Sequence, residues 1–282
     1  MLRHCASAGP SRGEPLSGLD LIGGGTLAAA LALLFVAETA WPLRRRVRPR
    51  GERLAVNAVL GVAAAVVVRC AVVPVGVAAA LVAERADLGV LRWIGAPPAV
   101  AWLLGVLLLD YTMYLWHRLN HAVPALWRFH VVHHTDLDLD VSTAVRFHAG
   151  ELLLSCGWRA IQVMAIGPPA ALLPIFEVAF ETATAFHHSN WRLPQALDGA
   201  LAVVAVTPRM HGIHHSVVEA ETNSNWSVML SWWDRLHGTL RLDVPQPAVT
   251  IGLPAYRDAA ELGARRLAAL PFARQRPAWK PT

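Results

Sequence analysis

Long apolar stretches alternate with short polar segments along this chain, and several stretches are long enough to predict membrane-spanning helices. The first runs from Leu21 to Trp41 and ends at Pro42 and a run of arginines. A hydrocarbon core of about 30 Å needs roughly 20 helical residues, so this stretch can cross a bilayer. Apolar residues resume from Leu54 to Val82, where Arg69 and Pro74 interrupt them. This second stretch predicts either one long kinked span or a span followed by an interfacial piece.

Two further apolar regions complete the predicted membrane part. Pro98 to Trp116 forms the next span and delivers the chain to a polar, histidine-rich segment that begins at His117. Apolar residues then run from Leu152 to Phe186, broken by glycine and prolines, and predict two helices of about 16 residues, each about 25 Å long, that form a hairpin. The run Leu197 to Val206 is too short to span and is expected to lie on the cytosolic cap.

These patterns predict an all-α membrane protein. We expect a bundle of about four to five transmembrane helices, arranged as two hairpins, with a cytosolic helical cap that carries the histidine motifs. The predicted divisions are a polar N-terminal tail at 1–20, membrane helices with a basic cytosolic loop at 21–97, a histidine-bearing domain at 98–245 and a C-terminal cytosolic tail at 246–282. Because residues 1–20 do not resemble a signal peptide, the first apolar stretch is expected to remain in the protein.

Composition supports a bilayer environment. Hydrophobic residues make up 55% of the chain, charged residues only 16%, and mean hydropathy is +0.39, which is unusual for a soluble globular protein. The arginines between Arg44 and Arg53 lie between two apolar stretches, so the positive-inside rule places them in the cytosol. No folded basic face with base-reading residues is evident, and nucleic-acid binding is not expected. Cys5, Cys70 and Cys156 form no CxxC pattern, which argues against a disulfide framework or a thiolate metal site.

Most of the 13 histidines fall into spaced motifs. Positions i, i+3 and i+4 lie on one face of a helix, so the three imidazoles of an HxxHH motif can converge on one point, as can the two of HxxxH. Imidazole suits Fe, Zn, Cu and Ni, and the scarcity of cysteine argues against structural zinc or an iron–sulfur cluster. Eight histidines exceed what one metal can use, so two metals are implied, with iron expected. The eight are His117 and His121 in HxxxH, and His130, His133, His134, His211, His214 and His215 in two HxxHH motifs.

The ordered motifs resemble those of a known superfamily. They are HRLNH at 117–121, WRFHVVHH at 127–134, FHHSN at 186–190, TPRMHGIHH at 207–215 and NSNWSVMLSWWDRLHGT at 223–239. Together they are similar to the motif set of the fatty acid hydroxylase and sterol desaturase superfamily, which would make 98–245 the catalytic domain. The resemblance implies a di-iron centre that faces the cytosol, held by the eight histidines and by His188.

Three further histidines are ambiguous. His187 and His188 are adjacent, so their side chains point about 100° apart and only one is expected to bind metal; the family's F-x-H-x-N pattern favours His188. His148 lies in RFHAGE, which resembles the family's R-x-H-P-x-E segment with alanine in place of proline. It is a possible ligand, and a hydrogen-bonding partner of a ligand or a helix cap also fits. His237 stands where the family more often has phenylalanine and is expected to be a surface residue.

Three carboxylates are predicted to support the histidines. Metal-bound imidazoles usually donate their other N–H to a carboxylate or a carbonyl. Asp110 precedes His117 by two helical turns and Glu181 precedes His188 by the same spacing, so Asp110, Glu151 and Glu181 are candidates to accept these hydrogen bonds. An ordinary interhelical salt bridge, for instance with Arg159, is the alternative. No catalytic residue separate from the metal ligands and no organic cofactor site is predicted.

The resemblance implies an O2-dependent oxidoreductase with two iron ions that hydroxylates or desaturates a lipid. A sterol, a fatty acyl chain, a carotenoid and an ether lipid are all compatible substrates, and zinc can replace iron in purified protein. Without a flavin, NAD or haem motif, the electrons are expected from a separate ferredoxin-like or cytochrome-like donor. The arginine- and alanine-rich composition suggests a bacterial inner membrane, with the active site facing the cytosol.

Two other functional classes compete with this interpretation. A histidine-rich membrane metal transporter or metal-binding protein is the main alternative. A transporter should place its ligands at the membrane midplane, whereas these histidines lie mainly outside the predicted spans. A membrane haem protein would need paired histidines deep within facing spans, and the spans before His117 contain none.

Overall fold

A computed structural model describes residues 18–280, with side chains from Ile22 onward. Most of the predicted N-terminal tail, including His4 and Cys5, lies outside the described residues. The α-helices in this range are α1 (Gly18–Ala40), α2 (Arg50–Val67), α3 (Val73–Arg85), α4 (Val90–Trp93), α5 (Pro98–Ala122), α6 (Pro124–His134), α7 (Ala149–Ile166), α8 (Leu172–His188), α9 (Gln195–Leu201), α10 (Pro208–His214), α11 (Glu219–Thr222), α12 (Trp232–Leu236) and α13 (Ala264–Ala269). Short 3-10 helices lie at Val141–Val145, Gln246–Ala248, Pro254–Tyr256, Ala259–Glu261 and Leu270–Phe272.

The prediction of an all-α protein is confirmed. Over residues 18–280 the backbone forms no β-strand, only three isolated bridges. The break expected at Arg69 and Pro74 is a π-helical turn, Val68–Val72, which joins α2 to α3 without a loop. The second apolar stretch is therefore one continuous helix with a local change of hydrogen-bond register.

Within the described residues, three segments are long and apolar enough to cross a membrane: Ile22–Ala40, Arg50–Trp93 and Pro98–Ala122. Only 11, 17 and 22% of their apolar windows are buried. Most of their apolar side chains therefore face outward, as those of lipid-facing helices do. The two helices predicted between Leu152 and Phe186 are α7 and α8, with 18 and 17 residues. They are not among the three segments, so the count of four to five spans stays a prediction.

The long helices pack in pairs around one apolar core. α3 lies along α7 and α1 lies along α8, while α5 contacts both α7 and α8. The core between them includes Leu109, Val163 and Phe176, which are at most 1% exposed. This packing fixes the ends of α5 and α8, from which histidines project.

Prolines set where the histidine-bearing helices begin. α5 continues beyond Trp116 to Ala122, so its last two turns carry HxxxH. Pro124 follows at once and is the first residue of α6, because proline lacks an N–H and fits the first helical position. α10 likewise begins at Pro208, after the N-cap residue Thr207. Both HxxHH motifs therefore occupy the C-terminal ends of short helices, beside the end of α5.

The basic segment between α1 and α2 is partly built into the cap, which the sequence did not predict. Arg53 is 5% exposed and bonds Asp136 at 2.8 Å and Asp140 at 2.6 Å. Arg44 donates to the Pro208 carbonyl and to the Gln246 side chain, both at 2.7 Å. Burial lowers the pKa of Arg44 to about 10, so it stays charged at neutral pH. These two arginines support the cap instead of extending into solvent.

The C-terminal segment predicted as a tail at 246–282 folds against the cap as far as the described residues extend. Leu253, Ala255, Tyr256 and Ala278 pack in a cluster with Val131 of α6. Leu267 is 1% exposed and packs in a second cluster, beside α2 and α6. The helix that carries the first HxxHH motif is thus covered on this side.

Candidate metal centre

Nine histidines meet at the end of the bundle in two groups. Within each group, the nearest ring nitrogens lie within 4.8 Å of one another. Because metal–imidazole bonds are about 2.0–2.1 Å long, ligand nitrogens around one ion lie at most about 4.2 Å apart, so each group is close to the size of a single-ion site. Group A contains His117, His121, His130, His134 and His214. Group B contains His133, His188, His211 and His215.

The geometry corrects one expectation from the sequence. The three imidazoles of an HxxHH motif do not converge on one point. In the first motif His130 and His134 belong to group A and His133 to group B. In the second motif His214 belongs to group A, and His211 and His215 belong to group B. Adjacent helical side chains point about 100° apart, so each motif divides between two sites and joins them.

The hydrogen bonds at one ring nitrogen fix the state of the other. Nδ1 of His117 lies 2.8 Å from the Trp226 carbonyl, and that of His214 lies 2.9 Å from the Ser224 carbonyl. In group B, Nδ1 of His188 lies 2.8 Å from the Thr184 carbonyl. A carbonyl oxygen only accepts, so each Nδ1 carries the proton and each Nε2 presents a lone pair. This is the tautomer that binds a metal through Nε2.

Buried nitrogens without partners mark group A as a cation site. Both ring nitrogens of His121 and the Nε2 atoms of His130, His134 and His214 are buried with no hydrogen-bond partner in the described part of the chain. Buried polar atoms are nearly always satisfied, and an unsatisfied set calls for a bound ion or another partner. The converging lone pairs of these imidazoles fit such an ion.

Group B shows the same fit through close nitrogen contacts. The Nε2 atom of His188 lies 3.0 Å from that of His133 and 3.1 Å from that of His211, which lies 3.1 Å from that of His215. Since His188 carries its proton on Nδ1, its Nε2 presents a lone pair to both neighbours. In the Nδ1-protonated tautomer the other three imidazoles would also present Nε2 lone pairs, and the four could then bind a cation placed among them.

Burial favours the neutral form of five of these imidazoles. Burial, reinforced by neighbouring imidazoles, holds the pKa of His134 and of His215 well below the usual range. The pKa values of His133, His211 and His214 are lowered in the same way, with burial again the largest cause. Neutral imidazole is the form that ligates metals, so these five histidines are in the metal-binding form at neutral pH.

One of the three predicted carboxylates contacts a histidine of the site. The Glu151 carboxylate accepts a hydrogen bond from Nδ1 of His130 at 2.8 Å, and both side chains are buried. Asp110 instead accepts from the backbone of Met229 and Leu230 and, at 2.7 Å, from the indole of Trp233. The expectation that Asp110 supports an imidazole is therefore not met.

Glu181 also lies away from the imidazoles. Among the described residues it makes no hydrogen bond to a histidine, and the Arg159–Glu177 salt bridge of 2.7 Å lies between α7 and α8. Seven residues separate Glu181 from His188, as they separate Asp110 from His117, which is about 10.5 Å along the helix axis. Sharing a face therefore did not bring either carboxylate within reach of its histidine.

The ambiguous histidines lie outside both groups. His148 is the N-cap of α7: its Nδ1 accepts from the Gly150 N–H at 2.9 Å, and its Nε2 lies 3.1 Å from the Ala268 carbonyl. His187 lies 3.0 Å from the Val228 carbonyl through Nδ1, whereas its neighbour His188 enters group B. His237 stacks on Tyr111 and Tyr114, with ring centroids 5.7 and 5.0 Å apart.

Two supporting features were not predicted from the sequence: Arg146 and the backbone carbonyls of segment 223–228. Arg146 is 2% exposed and donates to the Val132 carbonyl and to Thr135, which flank His133 and His134. The backbone carbonyls that orient His117 and His214 belong to segment 223–228. There Asn225 adopts a φ of +53° and bonds the Met210 carbonyl. The resemblance of 223–239 to a family motif is what pointed to this segment. A backbone carbonyl is present in every residue, so its role as an acceptor cannot be recognised from the residue type.

Comparisons with known proteins agree with this arrangement. The family model named fatty acid hydroxylase matches residues 102–239, which contain all nine histidines of the two groups. An ornithine lipid hydroxylase of Rhizobium tropici is 35% identical over 158 residues, which cover 55% of this chain and 45% of the relative. The human alkylglycerol monooxygenase is 26% identical over 50% of this chain and 31% of its own length.

A third relative is the cholesterol 25-hydroxylase of Rattus norvegicus, 27% identical over 56% of this chain and 53% of its own length. The chain thus spans about half the length, or less, of these three relatives. No solved structure matches it. The family match and these relatives show that residues 102–239 of this chain form a domain of the fatty acid hydroxylase and sterol desaturase superfamily.

Proposed function

We propose that this protein is a membrane-bound lipid hydroxylase that uses O2 and two iron ions, one held by group A and one by group B. The observation that carries the proposal is the convergence of nine imidazoles in two groups that are each close to the size of a single-ion site. The iron ions, when bound, would supply the redox chemistry that converts a lipid C–H, O2, two electrons and two protons into C–OH and water. We infer hydroxylation because the three relatives named above are hydroxylases or monooxygenases.

The chain itself holds the ligands in position. Carbonyl and carboxylate acceptors hold four of the rings through Nδ1: those of His117, His130, His188 and His214. Their Nε2 atoms are thereby oriented in advance for the metals that they would bind. His117 and His121 are only partly buried, whereas the other seven ligand candidates are buried. We propose that substrate and O2 approach group A from this side, next to Trp226.

The placement of the ligands favours an enzyme over a metal transporter. Seven of the nine candidates lie outside the three segments that can cross a membrane, and His117 and His121 occupy the last two turns of one of them. A transport site would be expected near the middle of the spans. We propose that the protein is integral to a bacterial inner membrane, with both groups on the cytosolic side.

The test pairs metal counting with lipid analysis. The full chain and the variants His133→Ala and His134→Ala would be purified from the same host, with His237→Ala as the control because His237 lies in neither group. We expect two iron ions per chain in the wild type and in the control. Loss of His134 should empty group A and loss of His133 should empty group B, which leaves about one ion in each variant.

Lipids from the same cultures, grown under 18O2, would then be compared by mass spectrometry. A lipid that gains one 18O atom in the wild type and in the control, but in neither metal-site variant, supports the proposal. Fewer than two metals in the wild type, together with no histidine-dependent lipid product, would refute it. Histidine-dependent metal uptake without such a product would support the transporter instead.

A further inference from the structure

We propose that the C-terminal segment forms the docking surface for an acidic one-electron carrier, with Trp279 at its centre. The inference rests on the proposed function, because each hydroxylation consumes two electrons that must come from outside the chain. It names the surface through which they enter and the chemistry of the partner.

The charge of this segment is one-sided. From Leu262 to the C-terminus the sequence contains five arginines or lysines and no aspartate or glutamate: Arg265, Arg266, Arg274, Arg276 and Lys280. Arg276 pairs with Glu261 at 2.7 Å. Arg274 and Lys280 are exposed, and neither forms an ion pair with any carboxylate among the described residues.

A third cation joins the same surface from α6. The Arg128 guanidinium donates to the carbonyls of Pro271 at 2.8 Å and Ala273 at 2.9 Å, so it lies against the C-terminal segment. Both partners are neutral, and the positive charge of Arg128 is not cancelled. We call Arg128, Arg274, Lys280 and the half-buried Trp279 the C-terminal basic patch. Its charge complements an acidic partner.

An aromatic path leads from this patch to group A. The Trp279 ring stacks on Trp127, with centroids 5.4 Å apart and planes within 20°. The Trp127 ring in turn lies 4.8 Å from the ring of His121 and 5.6 Å from that of His134, both in group A. One indole therefore separates Trp279 from two ligand candidates. A carrier that contacts Trp279 would be joined to group A through rings in contact.

This path distinguishes the redox partner from another possible occupant. Phe272 is 74% exposed beside the patch, and a basic surface with an exposed aromatic can also bind anionic lipid. Lipid binding gives no reason for the stacked indoles to continue inward to a histidine group. We therefore assign the patch to a soluble carrier with an acidic face, and an anionic bilayer becomes an outcome of the test.

The first test measures binding without metal. The metal-free full chain would be placed in phosphatidylcholine nanodiscs and titrated with an acidic [2Fe–2S] ferredoxin. The double variant Arg274→Glu/Lys280→Glu should bind about tenfold more weakly at low salt, and the difference should vanish near 1 M salt, where the Debye length is about 3 Å. The matched control is Arg45→Glu/Arg192→Glu, which reverses two exposed arginines outside the patch and should bind as the wild type does.

The second test separates docking from electron transfer. In iron-loaded protein saturated with ferredoxin, Trp279→Leu should slow single-turnover reduction by the bound ferredoxin at least tenfold, and Trp279→Phe should retain part of the rate. Reduction by dithionite with methyl viologen needs no docking surface and should be equal in all variants. This small-molecule reductant should also support product formation in every variant.

Each outcome decides between the proposals. Equal ferredoxin affinity in the charge-reversed variant and in the wild type would overturn the docking site, and so would an unchanged rate in Trp279→Leu. If charge reversal leaves ferredoxin binding unchanged and weakens only the binding of the protein to added vesicles that contain phosphatidylglycerol, the patch is assigned to the bilayer. If dithionite also yields no lipid product in the wild type, the proposed function fails, and the docking site fails with it.

Discussion

The contact between Glu151 and His130 offers a direct test of how the protein supports its metal site. The Glu151 carboxylate accepts from Nδ1 of His130 at 2.8 Å, and its other oxygen is buried with no hydrogen-bond partner among residues 18–280. Glu151→Gln keeps the shape and one oxygen acceptor but removes the charge. The substitution therefore asks how much of the ligand strength of His130 comes from a charged acceptor.

The expected magnitude follows from the two kinds of hydrogen bond. A bond to a charged group contributes about 1.5–3 kcal/mol and a neutral one about 0.5–1.5 kcal/mol, so the change should cost about 1–1.5 kcal/mol of metal binding. Since about 1.4 kcal/mol is a factor of ten in an equilibrium constant, group A should bind its ion about tenfold more weakly. This is the lower end of the range of about 10–100-fold that is typical for partners of metal-bound histidines.

Glu151→Gln should weaken metal binding without lowering the stability of the metal-free protein. A buried carboxylate with one oxygen unsatisfied is costly, so its replacement by an amide should leave the metal-free protein as stable as the wild type or more so. Metal affinity would be measured by competition with a chromophoric chelator, and stability by thermal unfolding of the metal-free protein in detergent. Weaker metal binding with undiminished stability is the expected signature.

Asp110→Asn is the matched control, because Asp110 is a fully buried carboxylate that accepts from the 229–233 segment and from no histidine. It should lower stability, since the loss of charge weakens these hydrogen bonds, and should leave metal affinity unchanged. Equal metal affinity in Glu151→Gln and the wild type would refute the role assigned to Glu151. A loss of affinity in Asp110→Asn as large as that in Glu151→Gln would show that the effect is not specific to the contact.

Three further substitutions test how the cap and the α7–α8 hairpin are held. Arg53→Met should destabilise the metal-free protein by about 3–5 kcal/mol, because it leaves the buried Asp136 without its ion pair; an unchanged melting temperature would contradict this role. Gly212→Ala would place a methyl group 1.7 Å from the Arg44 guanidinium and should cost about 1–3 kcal/mol of stability; its control is Gly199→Ala, where nothing lies within 4 Å. Gly167 has a φ of +66°, so Gly167→Ala should cost at least about 1 kcal/mol, measured by chemical denaturation of the membrane-embedded protein.

The sequence predicted the helical scaffold and eight of the nine clustered histidines from local spacing, and the resemblance to the family added His188; that these residues bind metal stays a prediction. The apolar stretches correspond to α1, α2 with α3, α5, α7 and α8. The nine histidines assigned from the motifs are the nine that the fold brings together. His188 was chosen over His187 by position in the motif, and of the two only His188 belongs to group B.

Tertiary relations were the part that local spacing could not predict. In the sequence Arg53 is one of several basic residues in a predicted cytosolic loop. Its partner Asp136 lies 83 residues later, and only the fold brings the two together. A helical wheel gives the direction of Asp110 but ignores the axial distance to His117, about 10.5 Å over seven residues. Glu151 does contact a histidine, because it lies in the first turn of α7, and α7 packs beside the helix α6 that carries His130.

The division of the two HxxHH motifs explains why one motif type appears twice. α6 gives two imidazoles to group A and one to group B, and α10, with the residue after it, gives one to A and two to B. α5 adds two to group A and α8 adds one to group B. Neither HxxHH helix belongs to a single site, so a movement of α6 or α10 changes both groups at once. The spacing i, i+3, i+4 therefore provides two directions of approach from one helix end, which is what two neighbouring metal sites require.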